Sequence, residues 1–167
     1  ILISAGPTQE PIDPVRYIGN RSSGKMGFAL AAEAAQRGAY VELVTGPVAL
    51  TTTVTGITRT DVVTAAEMAE ACRRISPECE AVIMAAAVAD FRPSNASGEK
   101  IKKKNAILEI SLESTEDILA WMGSNKPKHQ KLIGFALETN NALANAQEKL
   151  ERKNLDLIVL NSLKDEG

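Results

Sequence analysis

The chain has 167 residues, a formal net charge of −2 and a sequence pI of about 5.6. This length is enough for one domain with a hydrophobic core, and the weak acidity gives no argument for a nucleic acid or a membrane as partner. No apolar run approaches the roughly 18 residues that a membrane span needs. Cys72 and Cys79 lack CxxC spacing and a nearby histidine, so we expect a reduced, cytoplasmic protein without a disulfide framework or a zinc site.

Short apolar runs alternate with helix-patterned stretches along the chain. In chain order, the predicted strands are residues 1–5, 40–45, 57–63, 81–87, 107–112, 131–137 and 156–160. Most are unbroken apolar runs, which is typical of buried parallel strands, whereas 57–63 and 107–112 are weaker candidates. The predicted helices are residues 26–37, 65–75, 116–122 and 141–153. Repeated β-α-β units predict a three-layer α/β fold with a doubly wound, mostly parallel, Rossmann-like sheet, in one domain over residues 1–167.

Two helix boundaries carry clear local signals. Gly38 follows the first predicted helix as a C′ glycine would. Thr64 precedes the second predicted helix, and Glu67 stands three residues further on, which is the pattern of a capping box. Ser22 or Ser23 is the expected cap of the first helix.

Residues 13–27 combine two arginines, an asparagine and two serines, and run directly into the first predicted helix. Backbone N–H groups, side-chain donors and a helix N-terminus then meet at one place, which favours an anion site. The run from Gly19 to Lys25 matches the first seven positions of a Walker A loop, but Met26 replaces the hydroxyl that would ligate Mg²⁺. Prolines 7, 11 and 14 separate this run from the first strand and argue against a regular strand between them. We therefore expect an anion site that is not a P-loop.

The loops that follow the predicted strands are where a doubly wound sheet binds its ligands. The small residues at 85–87 admit two explanations, namely close packing of a helix on the sheet or access of a ligand to backbone amides. Asp90 could cap a turn, or it could bind a ribose hydroxyl or an amide. Its position at the end of a strand favours a ligand.

Residues 98–105 contain four lysines. Lysines 102 to 104 are expected to form a solvated face, although such a loop could also close over phosphates. Lys149 and Lys153 are four residues apart and share one helical face. That face is ordinary on a surface helix, but beside the same cleft it would add positive charge for a nucleotide.

Together these segments resemble phosphopantothenoylcysteine synthetase, which in most bacteria is the C-terminal half of a bifunctional flavoprotein of coenzyme A biosynthesis. The matching stretches are residues 4–8, 13–27, 85–90, 99–103, 134–139 and 152–156. They follow the order of the family, and 13–27 combined with 85–90 is the most specific part. The resemblance implies that CTP, with Mg²⁺, activates the carboxylate of 4′-phosphopantothenate as an acyl-cytidylate and releases pyrophosphate. The amine of L-cysteine then attacks the acyl carbon, which gives the amide and CMP.

The resemblance also assigns roles to single residues. Asn20 corresponds to the asparagine that holds the substrate carboxylate region and handles the acyl-nucleotide. Lys100 corresponds to a lid lysine that neutralises the nucleotide phosphates. Arg16 corresponds to an arginine that reaches the substrate phosphate from the neighbouring subunit, which implies a homodimer with shared sites. Asn20, Lys100 and Asp90 are therefore the catalytic candidates.

The remaining assigned residues are expected to contact the ligands. Ala85, Ala86 and Asp90 correspond to a turn that touches both substrate and nucleotide. The full set expected at the nucleotide is Gly6, Met84, Ala85, Ala86, Asp90, Lys100, Glu116, Asp117, Ile118, Leu119, Phe135, Lys149 and Lys153. Mg²⁺ would arrive with CTP, held mainly by phosphates and water, so no protein residue is assigned as a metal ligand.

The chain departs from the family at two points. It has Glu116 before Asp117 and Ile118, where the family often has proline, and this hardly alters a helix start. Family members usually continue beyond the equivalent of Gly167 and often carry an N-terminal flavin-dependent decarboxylase. We therefore expect a C-terminally incomplete fragment of a longer chain, with no flavin in this domain and a decarboxylase domain as a fusion partner in the full-length protein.

Two other functions compete with the ligase. A nicotinamide-dependent oxidoreductase would need a glycine fingerprint directly after the first strand, and Gly6-Pro7-Thr8 does not supply it. A non-catalytic nucleotide-binding module would keep the fold without the chemistry, but Arg16 and Lys100 are retained. The single histidine, His129, lies in a predicted exposed turn, so Ser/His and Cys/His mechanisms are hard to build.

Overall fold

The computed structural model describes residues 1–103, 107–138 and 141–162. The helices and strands follow one another as β1 (Leu2–Ala5), β2 (Gln9–Pro11), β3 (Tyr17–Gly19), α1 (Lys25–Gln36), β4 (Val41–Thr45), β5 (Ile57–Asp61), α2 (Ala65–Ile75), a 3₁₀ turn (Ser76–Glu78), β6 (Ala81–Met84), β7 (Phe91–Pro93), β8 (Leu112–Ser114), α3 (Ile118–Asn125), β9 (Lys131–Glu138), α4 (Ala142–Arg152) and β10 (Leu157–Ser162).

Six of these strands form the central sheet in the order β10-β9-β6-β1-β4-β5. Each neighbouring pair in this sheet is parallel. The chain runs outwards from β1 through β4 to β5 and then returns to β6 on the other side of β1, so the strand order reverses between β1 and β6. This is the doubly wound, Rossmann-like arrangement that the sequence predicted.

The alternation of side chains along the buried strands divides the core between the two faces of the sheet. Ile3 packs with Ala31 of α1 on one face. Leu2, the adjacent residue, packs on the other face with Met68 of α2 and Met122 of α3. Helices therefore cover both faces, and each layer buries the apolar side of the next.

Two antiparallel ribbons stand apart from the central sheet. One pairs β2 with β3, and the other pairs β7 with β8. The expectation that the prolines exclude a regular strand after β1 was wrong, because β2 lies there and ends on Pro11. Strand β7 of the other ribbon also ends on a proline, Pro93. A two-stranded ribbon tolerates proline at its end, where one missing donor costs little.

The strand predicted at 107–112 was also wrong for most of its length. Only Leu112 of that range lies in a strand, β8, which pairs with β7. Arg92 of β7 lies opposite Glu113 of β8, and an ion pair of 2.8 Å joins the two side chains. This pairing sets the register of the ribbon, so β8 begins only at the end of the apolar run at 107–112. The strand predicted at 81–87 is shorter than expected and ends at Met84, and the predicted helix at 116–122 lies slightly later, at Ile118–Asn125.

Helix ends agree with the sequence in two of three cases. Thr64 and Glu67 form the predicted capping box, and Gly38 follows α1 with a φ of 92°. The cap expected from Ser22 or Ser23 was wrong, because the residue before α1 is Gly24 with a φ of 76°. Gly24 turns the chain into the helix, and the two serines instead accept weak bonds from the N–H groups of Gly24 and Lys25.

No helix among the described residues is long and apolar enough to cross a bilayer. Cys72 and Cys79 are free and buried, and burial raises the pKa of both thiols, that of Cys72 to about 12. His129 is exposed in a turn, as predicted.

Candidate functional site

The candidate site lies at the carboxyl ends of β1 and β6, where the strand order reverses. Ser4 and Met84 are paired neighbours at these ends. The loop after β1 begins at Gly6, and the loop after β6 begins at Ala85. Helix α1 packs on one face of the sheet and α3 on the other, and the crevice outside such strand ends is the usual ligand position in a doubly wound sheet.

Backbone hydrogen bonds join the two loops to each other. The N–H of Ala87 donates to the carbonyl of Gly6 at 2.8 Å, and the N–H of Thr8 donates to the carbonyl of Ala87 at 3.3 Å. Two buried hydroxyls add to this, since Ser4 Oγ accepts the N–H of Ala86 at 3.1 Å and Thr8 Oγ1 accepts that of Ala89 at 2.9 Å. Residues 85–89 are thereby held on the end of β1.

Ser4 and Thr8 were not identified from the sequence as site residues. Both are fully buried, and their hydroxyls bond residues more than 80 positions away in the chain. The available signal was two small hydroxyl residues that flank Gly6 and Pro7 directly after a buried strand. That pattern also fits a simple turn, so only the fold reveals their partners.

Glycines bring the N-terminus of α1 to the same place. A Cβ at Gly27 would lie 2.5 Å from the Ala5 Cβ, so α1 packs directly on the end of β1. A Cβ at Gly24 would lie 3.4 Å from the Gly6 Cα and 3.0 Å from a methyl group of Val48. Gly6 itself has a φ of 72°, a conformation that favours glycine. The exposed N–H groups that begin α1 therefore border the loop at Gly6.

Asn20 connects the β2–β3 ribbon to the loop after β6. Its Nδ2 donates to the carbonyls of Ala87 at 3.2 Å and Val88 at 2.9 Å. Both bonds use the nitrogen, so the amide oxygen of Asn20 is directed away from these two carbonyls. The structure thus brings Asn20 together with the 85–90 loop.

Asp90 ends this loop and is exposed, and its neighbours place the start of α3 beside it. The carbonyl of Asp90 accepts the N–H of Thr115 at 2.9 Å, and Thr115 Oγ1 donates to the carbonyl of Ala89 at 2.5 Å. Asp117 is the N-cap of α3 and accepts the N–H of Ala120 at 2.9 Å. Asp90 and Asp117 therefore lie at the same end of the sheet.

Lys153 supplies the cation that faces these carboxylates. Its ammonium group forms an ion pair with Asp117, although the residue is largely buried. Burial lowers the pKa of Lys153, and the negative charge of Asp90 opposes that shift. The ammonium of Lys153 is thus paired with Asp117 and lies near the carboxylate of Asp90 at this end of the sheet.

Other residues that were predicted to contact the nucleotide lie on α3, β9 and α4. Lys149 Nζ donates to the carbonyl of Phe135 at 2.8 Å. Leu119 packs over the neighbouring Gly134, where a Cβ would come within 3.2 Å of it. Ile118 is buried in the core, so only its backbone is available to a ligand.

Glu116 is directed towards another element. Its carboxylate pairs with Arg73 of α2, and the Arg73 guanidinium lies 5.2 Å from the centre of the Trp121 ring. The structure therefore links Glu116 to α2 rather than to Asp90.

Arg16 and Lys100 lie on the ribbon side of the site. Arg16 forms an ion pair with the buried Asp13, and its Nη2 donates to the carbonyl of Ile101 at 2.8 Å. That guanidinium, helped by backbone N–H donors, holds the pKa of Asp13 well below its usual range, although burial opposes the shift. Lys100 is exposed, and within residues 1–103, 107–138 and 141–162 it has no hydrogen bond or ion pair to the Asp90 group. Lys104, Thr139 and Asn140 lie outside the described residues.

Within residues 1–103, 107–138 and 141–162, no group of three or more His, Cys, Asp or Glu side chains is arranged to hold a metal ion. A divalent ion at this site would therefore need ligands from elsewhere, and the phosphates of a nucleotide can supply them.

Comparison with known proteins places these residues in one family. Residues 1–167 match the family described as the DNA/pantothenate metabolism flavoprotein C-terminal domain. The coenzyme A biosynthesis bifunctional protein CoaBC of Escherichia coli K12 is 49% identical over 166 residues, which are 98% of this chain and 41% of that protein. A cysteine/cysteine sulfinic acid decarboxylase of an unknown prokaryotic organism is 56% identical over 167 residues, which are 100% of this chain and 46% of that protein. The chain thus spans less than half the length of these relatives.

A solved structure supports the same relationship. The crystal structure of the C-terminal domain of a CoaBC protein superposes with a TM-score of 0.83 at 45% identity. The superposition covers 95% of this chain and 74% of that one. The six-stranded parallel sheet and its flanking helices are therefore shared with that domain.

Proposed function

The chain belongs to the DNA/pantothenate metabolism flavoprotein C-terminal domain family, and from this premise we propose that it is a phosphopantothenate–cysteine ligase of coenzyme A biosynthesis. In the first step, CTP reacts with the carboxylate of 4′-phosphopantothenate to give an acyl-cytidylate and pyrophosphate. In the second, the amine of L-cysteine attacks the acyl carbon, the amide forms, and CMP leaves with the bonding electron pair. A carboxylate becomes a good acyl donor only when it carries such a leaving group.

One observation carries the proposal. The amide of Asn20 is hydrogen-bonded to the loop after β6, at the crevice where the strand order reverses. Asn20, Ala85, Ala86 and Asp90 are proposed to line one edge of the ligand site there. The reaction needs no nucleophile from the protein, because the nucleotide activates the acid and cysteine supplies the amine. It needs positioned donors and cations, which this crevice offers.

Asn20 is proposed to position the carboxylate region of the substrate and then the acyl-cytidylate. Its amide is fixed by two carbonyls of a loop that is itself bonded to β1. These bonds occupy both N–H groups of Nδ2, so the amide oxygen of Asn20 is the atom available to the ligands, and it can accept a hydrogen bond from a substrate N–H or O–H group. Asp90, exposed at the end of the same loop, is proposed to bind a hydroxyl or an amide of the ligands.

The nucleotide is proposed to lie between the 85–90 loop and the start of α3, with Gly6 and Met84 below it. Lys153 and Lys149 bring positive charge from α4, and Phe135 of β9 lies beside Lys149. Lys100 is proposed to neutralise the phosphates from the exposed segment at 98–103. Mg²⁺ would be held mainly by the phosphates of CTP and by water, and it would supply positive charge against the phosphates.

We further propose that the ligase is a homodimer. The two ribbons and the segments that connect their strands carry exposed apolar side chains. These are Val15, Tyr17, Phe91, Leu108 and Leu112. Arg16 is 42% exposed beside them, in a position to reach towards a second copy. Such a concentration of exposed apolar residues is typical of an interface. Sedimentation should give one species of about twice the monomer mass, and a monomer at micromolar concentration would contradict the dimer.

The decarboxylase name of one relative is proposed to describe another part of that protein. This chain covers 46% of it and matches the C-terminal domain family alone. In the bifunctional CoaBC proteins the ligase is likewise one of two activities. A fusion to a decarboxylase domain is therefore expected in the natural protein, which is proposed to be cytoplasmic.

The proposal is tested by pyrophosphate release from CTP, Mg²⁺ and 4′-phosphopantothenate, with ATP assayed in parallel. The expected result is pyrophosphate from CTP, followed by CMP and a new amide only when L-cysteine is added. Release from ATP at the higher rate would overturn the choice of nucleotide. Absence of release with either nucleotide, from a folded dimer, would overturn the ligase assignment.

A further inference from the structure

Asp13 is a buried carboxylate that does more than close a turn. Its Oδ1 accepts the N–H groups of Val15 and Arg16, both at 2.8 Å, as an Asx turn would. Its Oδ2 accepts Nε and Nη2 of Arg16 at 3.0 and 2.5 Å, and also the N–H of Ile101 at 3.0 Å. Ile101 is 88 residues away in the sequence. The second oxygen therefore bonds a separate part of the chain.

Ile101 is held at both of its backbone polar groups. While its N–H donates to Asp13, its carbonyl accepts Nη2 of Arg16 at 2.8 Å. A further bond ties the same segment to the ribbon nearby, since the N–H of Ser97 donates to the carbonyl of Ile12 at 2.9 Å. We use the term "Asp13 anchor" for the bonds that join Asp13, Arg16 and Ile101.

The anchor fixes the residue that follows Lys100. The Asp13 side chain is fully buried, so its charge is stable there only with the guanidinium and the N–H donors in place. Such groups hold one geometry, because each lost bond leaves a buried charge less well compensated. The Lys100 side chain is exposed, but its backbone position is set by the anchored neighbour.

We propose that Asp13 is a positioning residue that fixes Lys100 at the nucleotide phosphates by anchoring the backbone of Ile101. This inference rests on the proposed function, in which Lys100 acts on those phosphates. Arg16 takes part in the anchor as the cation that compensates the buried Asp13 and bonds the Ile101 carbonyl.

The first test measures anchoring without any activity. Trypsin cleavage after Lys100, Lys102 and Lys103 is followed by mass spectrometry in the full chain, relative to cleavage after the exposed Lys128 in a distant turn. Asp13→Asn should raise the relative rate about tenfold, because a charge-assisted bond to Ile101 is lost. Glu99→Gln is the matched control, since it removes a carboxylate beside Lys100 and leaves the anchor intact.

The second test asks whether the anchor acts through Lys100. The kcat for CTP-dependent pyrophosphate release is measured for Asp13→Asn, Lys100→Gln and the double variant. Asp13→Asn should lower kcat about tenfold, and in the Lys100→Gln background the same change should have little further effect. If Asp13→Asn acted only through a general loss of stability, the fold-decreases in kcat of the two single variants would multiply in the double variant.

A third variant covers the case in which Asp13→Asn does not fold. Ile101→Pro removes the N–H that donates to Oδ2 and keeps the Asp13 side chain, and its cleavage is followed after Lys102 and Lys103 because trypsin does not cut the Lys–Pro bond it creates. It should give the same faster cleavage and the same non-additivity with Lys100→Gln. Unchanged cleavage in both anchor variants, or effects on kcat that multiply, would overturn the inference. If wild-type protein released no pyrophosphate, the proposed function would fail, and unchanged proteolysis would separately reject the anchor.

Discussion

At the scale of single residues, the side chain of Asn20 has the most specific proposed role. Its amide donates to two carbonyls that lie 67 and 68 residues further along the chain. The change Asn20→Asp removes both N–H donors and places a negative oxygen against those carbonyls. Pyrophosphate release should continue while amide formation falls ~100-fold, so that the acyl-cytidylate accumulates in a rapid-quench experiment.

The control for this prediction is Asn125→Asp. Asn125 also donates its Nδ2 to a backbone carbonyl, that of Trp121 at 2.8 Å, but it does so at the end of α3. The same chemical change there should leave both half-reactions unaltered. Normal steady-state turnover in Asn20→Asp would remove Asn20 from the catalytic set.

Lys100 supports a different expectation, because it is proposed to act before the acyl-cytidylate exists. Lys100→Gln keeps the length of the side chain and removes its charge. Pyrophosphate release should fall ~100-fold, and no acyl-cytidylate should accumulate. Lys102→Gln, two residues away and exposed, serves as the control and should retain its rate. Equal losses in the two variants would mean that the segment contributes only a diffuse positive charge.

At the scale of elements, the contact of α1 with β1 determines where the helix N-terminus lies. Gly27→Ala adds a methyl group 2.5 Å from the Ala5 Cβ. Alanine favours a helix by about 1 kcal/mol over glycine, but the collision should outweigh that gain and lower the free energy of unfolding by about 1–3 kcal/mol. Urea titration measures the free energy of unfolding of both variants. Gly98→Ala is the control and should leave that free energy nearly unchanged, because the added atom meets nothing within 4 Å. A more stable Gly27→Ala variant would contradict this packing.

The start of β10 offers a prediction with a pH dependence. Asp156 pairs with Lys126 and accepts the N–H of Leu132 at 2.9 Å, and these bonds hold the pKa of Asp156 well below its usual range. A carboxyl with a lowered folded-state pKa stabilises the protein above its unfolded pKa of about 4, and that contribution is lost as the pH falls further. Asp156→Asn should therefore cost about 1–3 kcal/mol at neutral pH and progressively less below pH ~4.

Thermal unfolding across this pH range measures the effect. Glu33→Gln is the matched control, because Glu33 pairs with Arg37 at the surface, where both side chains are more than half exposed. Such a pair should contribute less than about 1 kcal/mol. A cost for Asp156→Asn that grew towards acid pH would contradict the assignment.

The elements also show what the sequence could predict. Five of the six sheet strands are largely apolar runs, whereas the edge strand β5 is mostly polar and was the weaker candidate. Gly38, Thr64 and Glu67 mark helix ends by local chemistry. The ribbon strands are three residues long, too short for any periodicity, and their register depends on the partner strand. Gly24, and not a serine, precedes α1 because the helix start lies close to Gly6. This tertiary contact could not be predicted from the local sequence.

At the scale of the whole molecule, the position of the site was predictable and its internal bonds were not. Buried strands in a doubly wound order place the ends of β1 and β6 together, and the loops at Gly6 and Ala85 could be named in advance. The bonds from Ser4, Thr8 and Asp13 each join residues more than 80 positions apart. They depend on tertiary geometry, so sequence patterns could identify the residue types but not their partners.

The central claim is that the crevice at the ends of β1 and β6 activates a carboxylate with a nucleotide. The most direct measurement is the transfer of label from the α-phosphate of CTP, with Mg²⁺ and 4′-phosphopantothenate and without cysteine. We expect pyrophosphate release and an enzyme-bound acyl-cytidylate, which added L-cysteine converts to amide and CMP. Label that stays in CTP in a folded, dimeric protein, with or without cysteine, would contradict it.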